Sequence, residues 1–340
     1  MAKKLICTAP HTLEWATERD PEPGDQDVCV RSTFSAAKHG TDLAIYSGEA
    51  FGRGAYDPEQ QLFKKQKQDF FAGPVGNMVV GVVTKAGPAV QNLLEGDRVV
   101  AAAPFSDVHV LAAQRCRKVP DSVSDESAVC LDPASCALGA VRDGHVRIGD
   151  HVAVFGMGAI GLCTVQASRI AGAAVIIAVD PIASRREVAA ELGAHIVLDP
   201  LSCDVGMELK ASSSGRGVDV AIDFSGHRDA LQDALRGVAF GGCVVAASYP
   251  SPYPAGLDFG AEAHLHIPDI VFSRSISDPN RDHPRWDQTR ICDTAWRWIM
   301  DGRIDGRLIV TPVVPFEDAR EEYARVISDS GAGIKLGIRH

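Results

Sequence analysis

One segment narrows the possible folds more than any other. Residues 151–180 read HVAVFGMGAIGLCTVQASRIAGAAVIIAVD. Residues 152–155 have the apolar character of a short buried strand, and Gly156, Gly158 and Gly161 follow as G-x-G-x-x-G. An apolar-periodic helix then leads to a second strand, 175–179, that stops at Asp180. Each part has a physical task. Gly156 permits the tight turn, Gly158 lets backbone amides approach a pyrophosphate, and Gly161 allows the helix to pack close on the strand. The amides of Ala159, Ile160 and Gly161 open the helix, where unpaired N–H groups and a partial positive charge favour phosphates. Asp180 lies nineteen residues past Gly161, where a carboxylate can accept hydrogen bonds from both ribose hydroxyls and repel a 2′-phosphate. The cofactor predicted is therefore NAD. Arg185 and Arg186 are placed either to serve a 2′-phosphate or to line the polar face of the next helix.

The alternation continues beyond this segment. AHIVLD at 194–199, GVDVAIDFSG at 217–226 and GGCVVAASY at 241–249 read as strands, with helical SRREVAAELG and RDALQDALRG between them. Strands spaced by helices predict a parallel, doubly wound sheet, and Ser225 falls at the carboxyl end of one strand, the edge where dinucleotides lie. Before residue 134 the pattern changes to short β-type runs broken by Gly and Pro: DVCVRSTFSAA, NMVVGVVTKAG, GDRVVAAAP and VHVLAAQ. Residues 48–75 form a long aromatic and charged segment without a period, in which Asp57 and Phe63 are candidates to line a pocket. Trp286, Ile291, Trp296 and Ile299 recur near helical spacing and read as core. The expected fold is α/β, a β-rich domain from 1–134 and 279–340 around a dinucleotide-binding domain at 135–278.

Composition excludes several partner classes. With 34 Lys and Arg against 44 Asp and Glu, the net charge of -10 disfavours nucleic acid and anionic membranes. The basic run from Lys64 to Lys67 reads as a solvated loop face. No window is apolar enough for a secretory signal or a membrane span. Nine cysteines, with no C-x-x-C pair, suit buried thiols in a reducing, cytoplasmic setting.

The run DPASCALGAVRDGHVRIGDHVAVFGMG at 132–158 then gives the chain a likeness: nearly end to end it resembles the medium-chain dehydrogenase/reductase superfamily. That superfamily pairs a GroES-like catalytic domain with a central Rossmann domain. Within it the chain looks most like the polyol branch typified by sorbitol dehydrogenase, with Asp132 standing for the branch's glutamate. KHGTD at 38–42 falls where zinc members carry Cys-Gly-Thr/Ser-Asp, so the resemblance puts His39 on the zinc-binding cysteine. Their Gly-His-Glu element has Gly76-Asn77-Met78 as its counterpart, and the four-cysteine lobe for a structural zinc is absent. Catalytic zinc takes three N, S or carboxylate donors, and an Asn amide is a poor one, so no metal is expected. His264 and His266, in an irregular stretch, read as surface or interface residues.

The resemblance implies an NAD-dependent dehydrogenase that oxidises a secondary alcohol of a polyol, cyclitol or sugar-like substrate. Without zinc a side chain must take the hydroxyl proton. His39, which titrates near neutrality, suits that role, with Asp132 orienting it, Thr41 as relay hydroxyl, Lys38 as an alternative base and Asn77 as a donor to substrate. Three alternatives stand beside it. The chain keeps NAD without turnover; His39 and Asp132 hold a zinc after all; or the site reduces activated double bonds. A fourth reading makes His39 a space-filling residue, with Thr41 and Asp42 capping a turn. The superfamily forms dimers and tetramers through cofactor-domain strands, and DIVFSRSIS at 269–277 is the candidate edge.

Overall fold

The computed structural model describes residues 1–49, 54–64, 70, 72–250, 252–274 and 277–340. Part of the 48–75 segment, including Lys65 and Lys67, lies outside the described residues. The chain divides into two compact units: Met1–Val129 with Val310–His340, and Cys130–Ile309.

The first unit is β-rich. Its main sheet sets strand Asp27–Ala36 against Met78–Ala86, which pairs onward with Arg98–Ala102, all antiparallel. On its other side Asp27–Ala36 takes Val108–Ala112 over its first half and Lys335–Arg339 over its last three residues. Val310–Pro315 runs parallel to Lys335–Arg339 and closes that side. The last stretch of chain thus inserts beside one of the earliest strands and fixes its end. Under it lies a core of Leu5, Cys7, Ala37, Tyr46, Phe105, Phe316, Tyr323, Leu336 and Ile338. Helix Ala319–Ser328 covers this core with its buried Tyr323, Val326 and Ile327.

The second unit holds a six-stranded parallel sheet. In chain order its strands are His151–Phe155, Val175–Val179, Ile196–Leu198, Val218–Asp223, Val238–Ala246 and Asp269–Phe272. They lie in the sheet as third, second, first, fourth, fifth and sixth. That is the doubly wound order, whose switch point falls between the first and fourth strands. Burial on both faces accounts for their continuous apolar character: Val152, Ala153, Val154, Ile176, Ile177, Ala221 and Ile222 are all fully buried.

One boundary differs from the sequence reading. Residues 130–134 and 279–309 belong to the second unit, not to the β-rich one. The reason is packing. Helix Gln288–Met300 turns Ile291, Ala295, Trp296 and Ile299 inward against helix Leu131–Asp143. Ser135 Oγ donates to Cys292 Sγ at 3.7 Å, and Gln166 and Asp305 exchange amide hydrogen bonds of 3.2 and 2.8 Å. Trp286 precedes that helix and is half-buried, with the guanidinium carbons of Arg142 and Arg290 3.7 and 4.2 Å from its ring centroid. Among the described residues no helix is long and apolar enough to cross a membrane.

Candidate functional site

The glycine turn joins the first strand of the parallel sheet to helix Ala159–Ala171. Its three glycines stand in three different situations. Gly156 has φ of +87°, and a Cβ there would sit 2.8 Å from the Ser225 nitrogen. At Gly161 a Cβ would fall 1.8 Å from the Gly156 carbonyl oxygen, so helix and turn touch only because it is absent. Gly158, the N-cap, takes ordinary extended torsions (φ -74°, ψ -175°), and a Cβ there would meet nothing within 4 Å. Nothing among the described residues of the unit demands glycine at 158. No side chain caps this helix start, so the amides of Ala159, Ile160 and Gly161 remain for an anion.

Asp180 ends the second strand, 4% exposed, and braces the same turn. One carboxylate oxygen accepts the Met157 N–H at 2.7 Å and the other the Ile182 N–H at 2.8 Å. A carboxylate offers about four lone-pair sites, so two remain for ribose hydroxyls. Arg186 is already engaged: it donates to the Asp180 carbonyl at 2.7 Å and pairs with Asp199 at 3.3 Å. Arg185 lies beside Asp180, whose charge opposes the larger effect of burial, a guanidinium pKa pushed below its usual range.

Across the switch point, Ser225 follows the fourth strand. Its N–H and hydroxyl both donate to one oxygen of Asp223, at 2.7 and 2.6 Å. Asp223 is fully buried, and burial raises its carboxyl pKa against the lowering effect of those bonds. It fixes the Phe224–Gly226 turn against Gly156. The sequence analysis passed it over, although an Asp ending an apolar strand beside a Ser-Gly pair was the available signal.

The other candidates fall in both units. Asp132 is half-buried in the first turn of helix Leu131–Asp143, in the second unit. Lys38, His39, Thr41 and Asn77 gather at one place in the first. Strand Asp27–Ala36 ends there, Lys38 is the N-cap of helix His39–Tyr46, and the Asn77 N–H donates to the Ala36 carbonyl at 2.9 Å. His39 is half-buried with its Nε2 shielded from solvent, and Thr41 is exposed. The Asn77 amide nitrogen is buried without an acceptor among the described residues. Asp42 is 3% exposed and accepts the Lys38 N–H at 2.7 Å, the capping contact the sequence allowed for. Asp57 and Phe63 lie on the facing strands of a short hairpin, with Phe63 exposed. His264 is exposed on the short helix Glu262–His266.

Zinc is the metal such an architecture implies. Among the described residues no three His, Cys, Asp or Glu side chains converge closely enough to hold an ion. The set around His39 offers an amide where an imidazole or thiolate is wanted, so the described residues of this unit do not fit one.

A doubly wound parallel sheet with a glycine turn at its switch point, joined to a β-rich unit, defines a dehydrogenase architecture. The chain belongs to the zinc-binding dehydrogenase family, whose model matches residues 159–274. It is 38% identical over 347 residues to D-guloside 3-dehydrogenase of Escherichia coli K12, covering 99% of each chain. Two solved structures share the fold at TM-scores of 0.79, covering 100% of this chain and 99% of theirs. One is a short chain alcohol dehydrogenase of E. coli CFT073 complexed with NADH, 20% identical. The other is a Sinorhizobium meliloti protein bound to NADP, 21% identical.

Proposed function

We propose that this protein is an NAD-dependent dehydrogenase oxidising a ring hydroxyl of a sugar or glycoside, with a side chain rather than zinc handling the proton. The observation that carries the substrate class is the end-to-end likeness to D-guloside 3-dehydrogenase. The glycine turn supports the dinucleotide, and Asp180, with Arg186 already occupied, supports NAD over NADP.

When bound, the nicotinamide supplies the hydride acceptor. The work of this chain's residues is to hold it and to move a proton. The amides after Gly158 take the pyrophosphate, and Asp180 takes the adenine ribose. His39 accepts the substrate hydroxyl proton on an imidazole nitrogen as the carbinol hydrogen leaves as hydride. The Asn77 amide donates to a sugar oxygen, which supplies the acceptor its buried nitrogen lacks among the described residues. Lys38, Thr41 and Asp132 are auxiliary candidates in this reading, tested by the same substitutions. Strand Asp269–Phe272 ends the sheet with Ile270 and Phe272 exposed, which supports self-association along that edge. Light scattering of the protein and of Phe272→Lys tests that.

The deciding experiment follows NADH absorbance with NAD and a panel of D-gulosides, other glycosides, sugars and polyols, before and after chelation. Turnover that survives chelation and is lost in His39→Ala, with NADH affinity unchanged, is the expected result. Turnover abolished by chelation and restored by zinc refutes the metal-free step. Turnover surviving in His39→Ala refutes the role of His39.

A further inference from the structure

Lysine is rarely fully buried, yet Lys335 is 2% exposed, and it is the lone lysine or arginine among the buried described residues. No carboxylate lies within ion-pair distance of it among the described residues. Its Nζ donates instead to the Ala37 carbonyl at 2.6 Å. The other end of that same peptide group, the Lys38 N–H, donates to Asp42 Oδ2 at 2.7 Å. A single peptide unit, one residue before His39, is thus held at its oxygen by a buried ammonium and at its nitrogen by a buried carboxylate. Rotating the unit would break both charge-assisted bonds and cost the buried Lys335 its acceptor. Each group also polarises the peptide in the sense that strengthens the other bond.

Structural economy does not call for this arrangement. Replacing a buried charged group together with its partner by apolar side chains of similar volume is often neutral or stabilising, whereas removing one partner alone leaves the other buried and unpaired. The Ala37 N–H is already tied to the Leu336 carbonyl at 3.0 Å, so the strand end is held without Lys335. What the pair adds is a fixed orientation of the 37–38 peptide. Through Lys38, whose φ of -120° and ψ of 88° set the turn, it adds a fixed direction for the first residue of the helix, His39.

We infer that Lys335, with Asp42, is a positioning residue for His39. The inference rests on the acid/base reading of His39 given above. Lys335 touches neither cofactor nor substrate; it acts through the Ala37–Lys38 peptide.

The test is Lys335→Met, which keeps the side-chain length and removes donor and charge. The variant leaves the buried Ala37 carbonyl without its donor, so the melting temperature is expected to fall by several degrees, NADH affinity is unchanged, and kcat on the best glycoside of the panel falls about tenfold or more. Amide hydrogen exchange at residues 38–42 rises by a similar factor. Lys335→Arg, which keeps a donor for the Ala37 carbonyl, is expected to recover most of kcat and of that protection. If Lys335→Met keeps the parent kcat and exchange, or if it does not fold and Lys335→Arg loses activity as well, the positioning role is wrong. The exchange readout needs no turnover. Rapid exchange at 38–42 in Lys335→Met together with full turnover in His39→Ala would refute the acid/base reading and leave the peptide clamp standing.

Discussion

Alanine at each of the three turn glycines separates what the fold needs from what the cofactor needs. At Gly161 the new Cβ meets the Gly156 carbonyl oxygen at 1.8 Å, a backbone atom that cannot swing aside. Restoring a contact of 3.4 Å displaces the helix start by more than an ångström and pulls Met157 from its 2.7 Å bond to Asp180. Overpacking of this kind costs about 1–3 kcal/mol. The loss spreads between stability and affinity, so Gly161→Ala is expected to lower the melting temperature and to weaken NADH binding about tenfold or more. Gly158→Ala is the opposite case. Its torsions suit alanine and its Cβ meets no protein atom, so the melting temperature is expected to stay within a degree or two or to rise slightly, as lost chain entropy predicts. NADH affinity is nevertheless expected to fall at least as far as in Gly161→Ala, because the methyl occupies the approach of the pyrophosphate. Fluorescence titration with NADH and a thermal melt on both variants give the answer. Gly158→Ala binding NADH as tightly as the parent would refute the assignment of this turn to the pyrophosphate.

Two further outcomes follow from single side chains. Asp180→Ala removes the acceptor of the Met157 and Ile182 amides along with the ribose carboxylate. NADH affinity is expected to drop about ten- to a hundredfold while preference against NADPH shrinks, read by titration with both nucleotides. Burial pushes the His109 imidazole down to about 4 from its ordinary 6.5. The unfolded chain therefore takes up a proton below pH 6.5 that the native state refuses until about pH 4, and the stability present above pH 6.5 is lost as pH falls through that window. At pH 5 His109 alone accounts for a loss of about 2 kcal/mol, and His340, likewise depressed to about 4, adds to it. Urea unfolding at pH 7.5 and pH 5 measures it; His109→Gln should flatten the difference, and an unchanged slope would count against the buried neutral imidazole.

How much of this was legible beforehand depends on how local each feature is. The glycine turn, its helix and Asp180 span thirty consecutive residues, and the contact that requires Gly161 is made five positions away, at Gly156. The strands and the helix form where the sequence places them. The boundary at 279–309 was not legible, because the apolar stripe of Ile291, Trp296 and Ile299 says that the helix is covered without saying what covers it. Its partner, helix Leu131–Asp143, lies some 150 residues earlier. Trp286, counted with that stripe, instead spends its ring on two guanidinium groups.

Lys335 was invisible for a stronger reason. In GIKLGI a single lysine within an apolar strand reads as a side chain turned to water. Only the pairing of Lys335–Arg339 beside Asp27–Ala36, across 298 positions, brings its nitrogen to the Ala37 carbonyl. The two halves of the proposed chemistry therefore differ in kind. In the proposal the dinucleotide is held by one contiguous motif, the amides after Gly158 and the Asp180 carboxylate. In that proposal the proton is handled by side chains that separate segments of chain bring to the end of Asp27–Ala36, so those side chains can change while the strands stay. The resemblance that puts His39 on a zinc-binding cysteine and Asn77 on a histidine implies an exchange of that kind. The demand that remains is orientation. A metal ion fixes its ligands by coordination, whereas an imidazole has only its own backbone to aim it. A peptide locked between Lys335 and Asp42 supplies that aim.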